Sequence, residues 1–111
     1  MKALLFKLNH TPTVHDISNK LIEEWQSDDD LILWLDVEGG ENVDSLFLKS
    51  QFKLNDLVLK DSIRERHPPK FEAFDDYVFV LLRSIELSKA DDNIIFSQIS
   101  LFLGERFIIT R

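Results

Sequence analysis

Two runs of consecutive apolar residues limit what this chain can become: Leu31-Ile32-Leu33-Trp34-Leu35 and Tyr77-Val78-Phe79-Val80-Leu81-Leu82. Side chains alternate across a strand, so a run that is apolar at every position has neither face suited to water. Such strands are central strands with helices on both sides. The flanking sequence supplies the helices. Ala3 to Leu8 alternates through Leu4, Phe6 and Leu8 as a short strand, and Thr11-Pro12-Thr13 breaks it. Ile17, Leu21, Ile22 and Trp25 then share one helical face, with Asp16 as the cap and Asp28-Asp29-Asp30 as the stop. Gly39-Gly40 turns the chain after the first central run. Val43, Leu46 and Phe47 open a second helix that runs to about Gln51. Asn55 caps a third, short helix in which Leu57, Val58 and Ile63 face inward, and Pro68-Pro69 ends it.

The second half is strand-rich. The run from Tyr77 extends through Arg83 and Ile85 to Leu87. Lys89-Ala90-Asp91-Asp92-Asn93 is a hairpin turn, Ile94 to Leu103 returns, Gly104-Glu105 turns again, and Phe107-Ile108-Ile109-Thr110 is a last strand. The expected class is α/β (α+β): a mixed β-sheet with helices packed on its faces, ordered β-α-β-α-α and then a β-meander. Three helices are few for two faces. Part of the sheet, with Phe96 and Phe102 on it, is expected to lie bare until more chain or a partner covers it.

Composition narrows function by exclusion. Leu, Ile, Val and Phe make up 42 of the 111 residues, far above the level at which chains stay disordered. The length suits one domain, residues 1–111. With no Cys there is no disulfide framework and no thiolate metal site. The longest apolar run is six residues, against roughly 20 for a membrane span, and the N-terminus is too short in apolar residues for a signal peptide. A soluble cytoplasmic domain is expected. The net charge of −7 disfavours nucleic acid or anionic lipid as a bulk partner. Residues 16–44 concentrate ten carboxylates against one Lys, a net −9, and so offer a surface for cations or for a basic protein.

Sites are sparse. His10, His15 and His67 lack ligand-like spacing and are expected to be ordinary surface residues. No nucleophile motif or phosphate-cradling glycine loop occurs, and no enzyme activity is expected. Asp36 and Glu38 alternate along the end of a strand and can share a face. They are candidates for a metal site, at the extreme a small metal-dependent hydrolase, although such residues more often cap a helix or face water. Trp25 and Trp34 are core or interface anchors.

Four segments together resemble a known family: Trp34-Leu35-Asp36-Val37-Glu38-Gly39, Leu57-Val58-Leu59-Lys60-Asp61, Pro69-Lys70-Phe71-Glu72-Ala73-Phe74-Asp75-Asp76-Tyr77 continuing to Leu82, and Gln98-Ile99-Ser100-Leu101-Phe102-Leu103-Gly104 continuing to Thr110. The set is similar to the N-terminal cytoplasmic domain of CorA-type magnesium transporters, over residues about 31–111. ZntB-like zinc transporters share the pattern. The chain departs where Pro68 stands for the family's Arg and Lys60 for its Glu. It also lacks the family's two C-terminal membrane helices with their Gly-Met-Asn signature, and the stalk helix before them.

The resemblance implies a homopentamer on the cytoplasmic face of the cell membrane, joined to it only through those missing helices. In it Mg²⁺, or Co²⁺, Ni²⁺ or Zn²⁺, bridges neighbouring subunits, and loss of the ions loosens the ring. The matching metal-site carboxylate is Asp61, opposite a carboxylate on a neighbour's stalk. A dication between two carboxylates turns repulsion into a bridge, and Lys60 beside Asp61 weakens it. Without the neighbour, Asp61 is a surface carboxylate in reach of Arg64 at i+3. The alternative to a cation sensor is a free-standing acidic module that binds a basic protein through residues 16–44.

Overall fold

The computed structural model describes residues 1–38 and 42–111, so the expected turn at Gly39-Gly40 lies outside the described residues. In chain order the elements are β1 (Lys2–Phe6), β2 (Thr13–Asp16), α1 (Asn19–Ser27), β3 (Ile32–Asp36), α2 (Asn42–Phe52), α3 (Asp56–Ile63), β4 (Lys70–Ala73), β5 (Tyr77–Leu87), β6 (Ile94–Gly104) and β7 (Phe107–Thr110). The strands form one mixed sheet in the order β2-β1-β3-β7-β6-β5-β4. Its single parallel pair, β3 with β7, closes a long crossover through α2, α3 and the outer strands.

Register explains where the core sits. Ala3, Leu35, Ile109, Phe102 and Phe79 oppose one another in turn across β1, β3, β7, β6 and β5. All five are 0% exposed. Against this row pack Leu21, Ile22 and Trp25 of α1, Leu48 and Phe52 of α2, and Val58 and Leu59 of α3, in one cluster. Burying each such large side chain is worth roughly 1.5–3 kcal/mol. The three helices therefore share one face of the sheet.

The opposite face is apolar but bare. The neighbouring row runs Leu4, Trp34, Ile108, Leu103 and Val78, in the same strand order. Trp34 and Leu103 on it are 39% and 38% exposed, and Leu82, Ile95, Ile99 and Phe71 of the same face are exposed too. The α/β class and the β-α-β-α-α-meander order hold, with β2 and β4 added. Cover on both sides of the central strands does not: no helix of the described residues lies on the second face. The bare area expected from so few helices is there, but Phe102 is not on it. Its parity turns it into the core, and Phe96, of the same parity, is exposed because it lies on the distal part of the hairpin.

Three local readings are corrected. Ser18, rather than Asp16, caps α1, its hydroxyl accepting from the Leu21 N–H at 3.2 Å. Asp16 is instead the last residue of β2, paired opposite Lys2. Leu46 and Leu57 point to solvent, while Leu48, Val58 and Leu59 face the sheet. Asn55 does cap α3, its side chain accepting from the Leu57 N–H at 2.8 Å. The α2 helix runs one residue past the expected end, to Phe52.

Candidate functional site

Residues of the sequence motifs converge where α3 meets β4, β5 and β6. Asp61 sits in the last turn of α3. One carboxylate oxygen takes the Lys70 ammonium at 2.9 Å and the other lies 3.4 Å from His67 Nε2. The same ammonium reaches Glu72 at 2.9 Å. Lys70 and Glu72 are two apart in β4, and therefore project to the same face as α3. The Asp61 hydrogen bond first, and the Glu72 one second, raise the Lys70 pKa above its ordinary value of 10.5. Arg64, the i+3 partner considered for Asp61, meets it through the backbone: its N–H donates to the Asp61 carbonyl at 3.3 Å.

Further bonds lock the joint. The Gln98 amide donates to the Asp61 carbonyl at 3.4 Å and accepts the His67 N–H at 3.2 Å. The hydroxyl of Ser100, fully buried, donates to the Ser62 carbonyl at 3.2 Å. At the other end of α3 the Tyr77 hydroxyl accepts the Asn55 N–H at 2.9 Å. Burial is the main reason why the Tyr77 pKa lies above 10.0. The motif positions Asp61, Lys70, Glu72, Tyr77, Gln98 and Ser100 thus meet in space and fasten α3 to the sheet. Sequence reading singled them out as a pattern but gave a role to Asp61 alone. His67, expected at the surface, has a side chain only 15% exposed.

Asp36 lies at the end of β3 on the bare face. It accepts the Thr110 hydroxyl at 2.6 Å, and Thr110 in turn accepts the Trp34 indole N–H at 3.1 Å. Glu38 lies past the strand end, exposed. No group of three or more metal-ligating side chains gathers around Asp36, Glu38 or Asp61 among the described residues.

The acidic window is partly neutralised by cations from outside it. Asp28 pairs with Lys7 at 2.5 Å, and that hydrogen bond is the main cause of a lowered Asp28 pKa. Asp29 lies 3.7 Å from Arg106. Of the two tryptophans, Trp25 is in the core and Trp34 on the bare face.

A seven-stranded mixed sheet with three helices on one side defines a class by its fold. The structure superposes on the soluble domain of CorA from Methanocaldococcus jannaschii with a TM-score of 0.64, at 12% identity, over 97% of this chain and 39% of that one. It also superposes on the complete CorA magnesium transporter of the same organism with a TM-score of 0.65, at 15% identity, over 99% of this chain and 32% of that one. The chain belongs to the CorA-like Mg²⁺ transporter protein family, whose model matches residues 29–111. It is also 23% identical, over 94 residues, to the Bacillus subtilis (strain 168) protein named "Putative metal ion transporter YfjQ", with 85% of this chain covered. The chain spans 28% of the length of that relative. No helix of the described residues is long and apolar enough to cross a membrane.

Proposed function

We propose that residues 1–111 are the N-terminal cytoplasmic domain of a longer CorA-like divalent cation transporter. Its subunits assemble as a homo-oligomer, a pentamer by family resemblance. Mg²⁺, or Co²⁺, Ni²⁺ or Zn²⁺ in its place, bridges neighbours and biases the gate. The bare apolar face of the sheet is the surface on which the rest of such a protein packs.

The observation that carries the sensing part is the state of Asp61. Its side chain is 19% exposed and already paired with the Lys70 ammonium, with His67 Nε2 3.4 Å away. A dication arriving there competes with an ammonium, so one such carboxylate binds it weakly, and a second carboxylate from a neighbour completes the site. Mg²⁺ keeps most of its waters and needs only one or two carboxylates. A weak, shared site is what a sensor of abundant Mg²⁺ requires, because occupancy then follows concentration and favours one assembly.

Calorimetric titration of the chain with Mg²⁺ tests the reading. Weak binding is expected, lost in Asp61→Ala, with a stronger Mg²⁺ response in the full-length parent that the same substitution removes. Micromolar binding that survives Asp61→Ala would refute it. Titrations with Co²⁺, Ni²⁺ and Zn²⁺ rank the ions.

A further inference from the structure

The β5–β6 hairpin carries on past the end of α3, and a cavity of about 650 Å³ opens in the corner between them. It is lined by Glu65 and Arg66 from the turn after α3 and by Arg83, Phe96, Ser97 and Gln98 from the hairpin. Its volume falls within the usual range for small-molecule sites, about 300–1,000 Å³. Arg83 and Gln98 are cross-strand partners. The Arg83 guanidinium lies over the Phe96 ring, 5.7 Å from its centre. Gln98 is tethered from both ends of its amide to the α3 joint. Arg66 has φ 60, a left-handed backbone that a non-glycine residue seldom adopts. Neither arginine takes part in an ion pair among the described residues.

Two arginines and one glutamate line the corner, an excess of positive charge in a chain of net charge −7. The fork of a guanidinium matches phosphate oxygens two at a time. Phe96 is 60% exposed and offers a flat apolar surface beside that charge. Glu65 can accept hydroxyl donors. From this we propose that the corner binds a phosphate-bearing ligand with a planar ring, of the nucleotide class: phosphates on Arg66 and Arg83, ring against Phe96, and sugar hydroxyls toward Glu65. Asp61 does not line the site, which adjoins the Asp61 joint through Gln98 and needs no divalent ion. It lies on the helix-bearing side of the sheet, away from the bare face.

The test is calorimetric titration of the 111-residue chain in EDTA, with ADP, pyrophosphate and adenosine as probes. ADP is expected to bind, with pyrophosphate about tenfold weaker for want of stacking and adenosine weaker again. Arg66→Gln and Arg83→Gln should each weaken ADP about tenfold or more. Phe96→Ala should bring ADP down to the level of pyrophosphate, and Lys20→Gln, remote from the corner, should change nothing. Arg83→Lys keeps the charge but not the fork, so weakening there with an unchanged circular dichroism spectrum separates recognition from folding. The proposal is overturned if ADP gives no heat at millimolar concentration, if its affinity survives both Arg→Gln changes, or if pyrophosphate binds as tightly as ADP. Salt-sensitive self-association that depends on the two arginines, without ADP binding, also overturns it and puts a carboxylate of a second copy in the corner. Because no divalent ion is present, failure here leaves the Asp61 reading standing.

Discussion

Trp25 of α1 and Arg106 of the β6–β7 turn clasp each other at one end of the sheet's inner strands. The indole N–H donates to the Arg106 carbonyl at 3.0 Å, and the Arg106 guanidinium lies 5.2 Å from the Trp25 ring. One guanidinium nitrogen also donates to the carbonyls of Trp25 at 3.0 Å, Asp28 at 2.9 Å and Leu31 at 3.5 Å. A side chain from the β6–β7 turn thus closes the C-terminal end of α1, where backbone carbonyls lack helical partners. Arg106→Ala should lower unfolding free energy by about 1.5–3 kcal/mol, the range for charge-assisted hydrogen bonds. Arg106→Lys should recover only part of this, because an ammonium can donate to the carbonyls but cannot lay a planar guanidinium over the Trp25 ring. Urea unfolding measures both.

The two faces of the sheet predict opposite sensitivities for adjacent residues. Phe102 is fully buried and Leu103 is 38% exposed on the bare face. Phe102→Ala should cost about 3–5 kcal/mol. Leu103→Ser should cost less than about 1 kcal/mol in this chain and reduce its self-association. If the full-length protein covers that face, Leu103→Ser there should cost clearly more than here, as read by thermal unfolding.

Alkaline pH should loosen α3. Tyr77, raised mainly by burial, and Lys70, raised mainly by its bond to Asp61, both hold their protons more tightly folded than unfolded. Their contributions are complete below the ordinary values of 10.0 and 10.5 and fade as pH climbs through the raised folded values. Stability should therefore fall above about pH 10. Tyr77→Phe should flatten part of that fall and cost about 1 kcal/mol at neutral pH, since the Asn55 N–H loses its acceptor. A series of urea melts across pH resolves both effects.

The Lys70 ion pairs should be modest in energy and sensitive to salt. Lys70→Met removes its bonds to Asp61 and Glu72 at once, yet the Lys70 side chain is 31% exposed. A loss of about 0.5–1 kcal/mol is expected, shrinking as salt rises. The same substitution leaves Asp61 with His67 alone and should strengthen Mg²⁺ binding in the calorimeter.

Gly104 leaves room for a ring. A Cβ at this position would overlap the Phe107 side chain, which is packed 5.0 Å from the Phe52 ring and 6.3 Å from Trp25. Gly104→Ala should destabilise by about 1–3 kcal/mol through overpacking. Combined with Phe107→Leu it should cost less than the sum of the two single changes.

The strands that buried residues announce were readable in the sequence, and those with no buried side chain were not. β3 and β5 carry the long apolar runs, and Asn55 announces its helix. β2, Thr-Val-His-Asp, is exposed at all four positions, so no alternation marks it; β1 recruits it as an edge strand. β4 is hidden in the same way, within a motif whose pairing with β5 is a matter of register. Asp61 was legible as a position. Its partners were not, because Lys70 and His67 return to it only after the chain reverses behind α3. Nor could the one-sided helical layer be seen: a run apolar at every position looks the same whether its second face is covered or bare.

The short margins of the sheet shape how molecules of this protein meet. Both outermost strands have four residues, and the polar side chains along them include His15, Asp16, Lys70 and Glu72. Such rims discourage a further strand from docking and propagating into a fibril. The broad greasy side in between has no comparable guard. Contact between molecules is thereby steered away from end-on polymerisation and toward broadside seating.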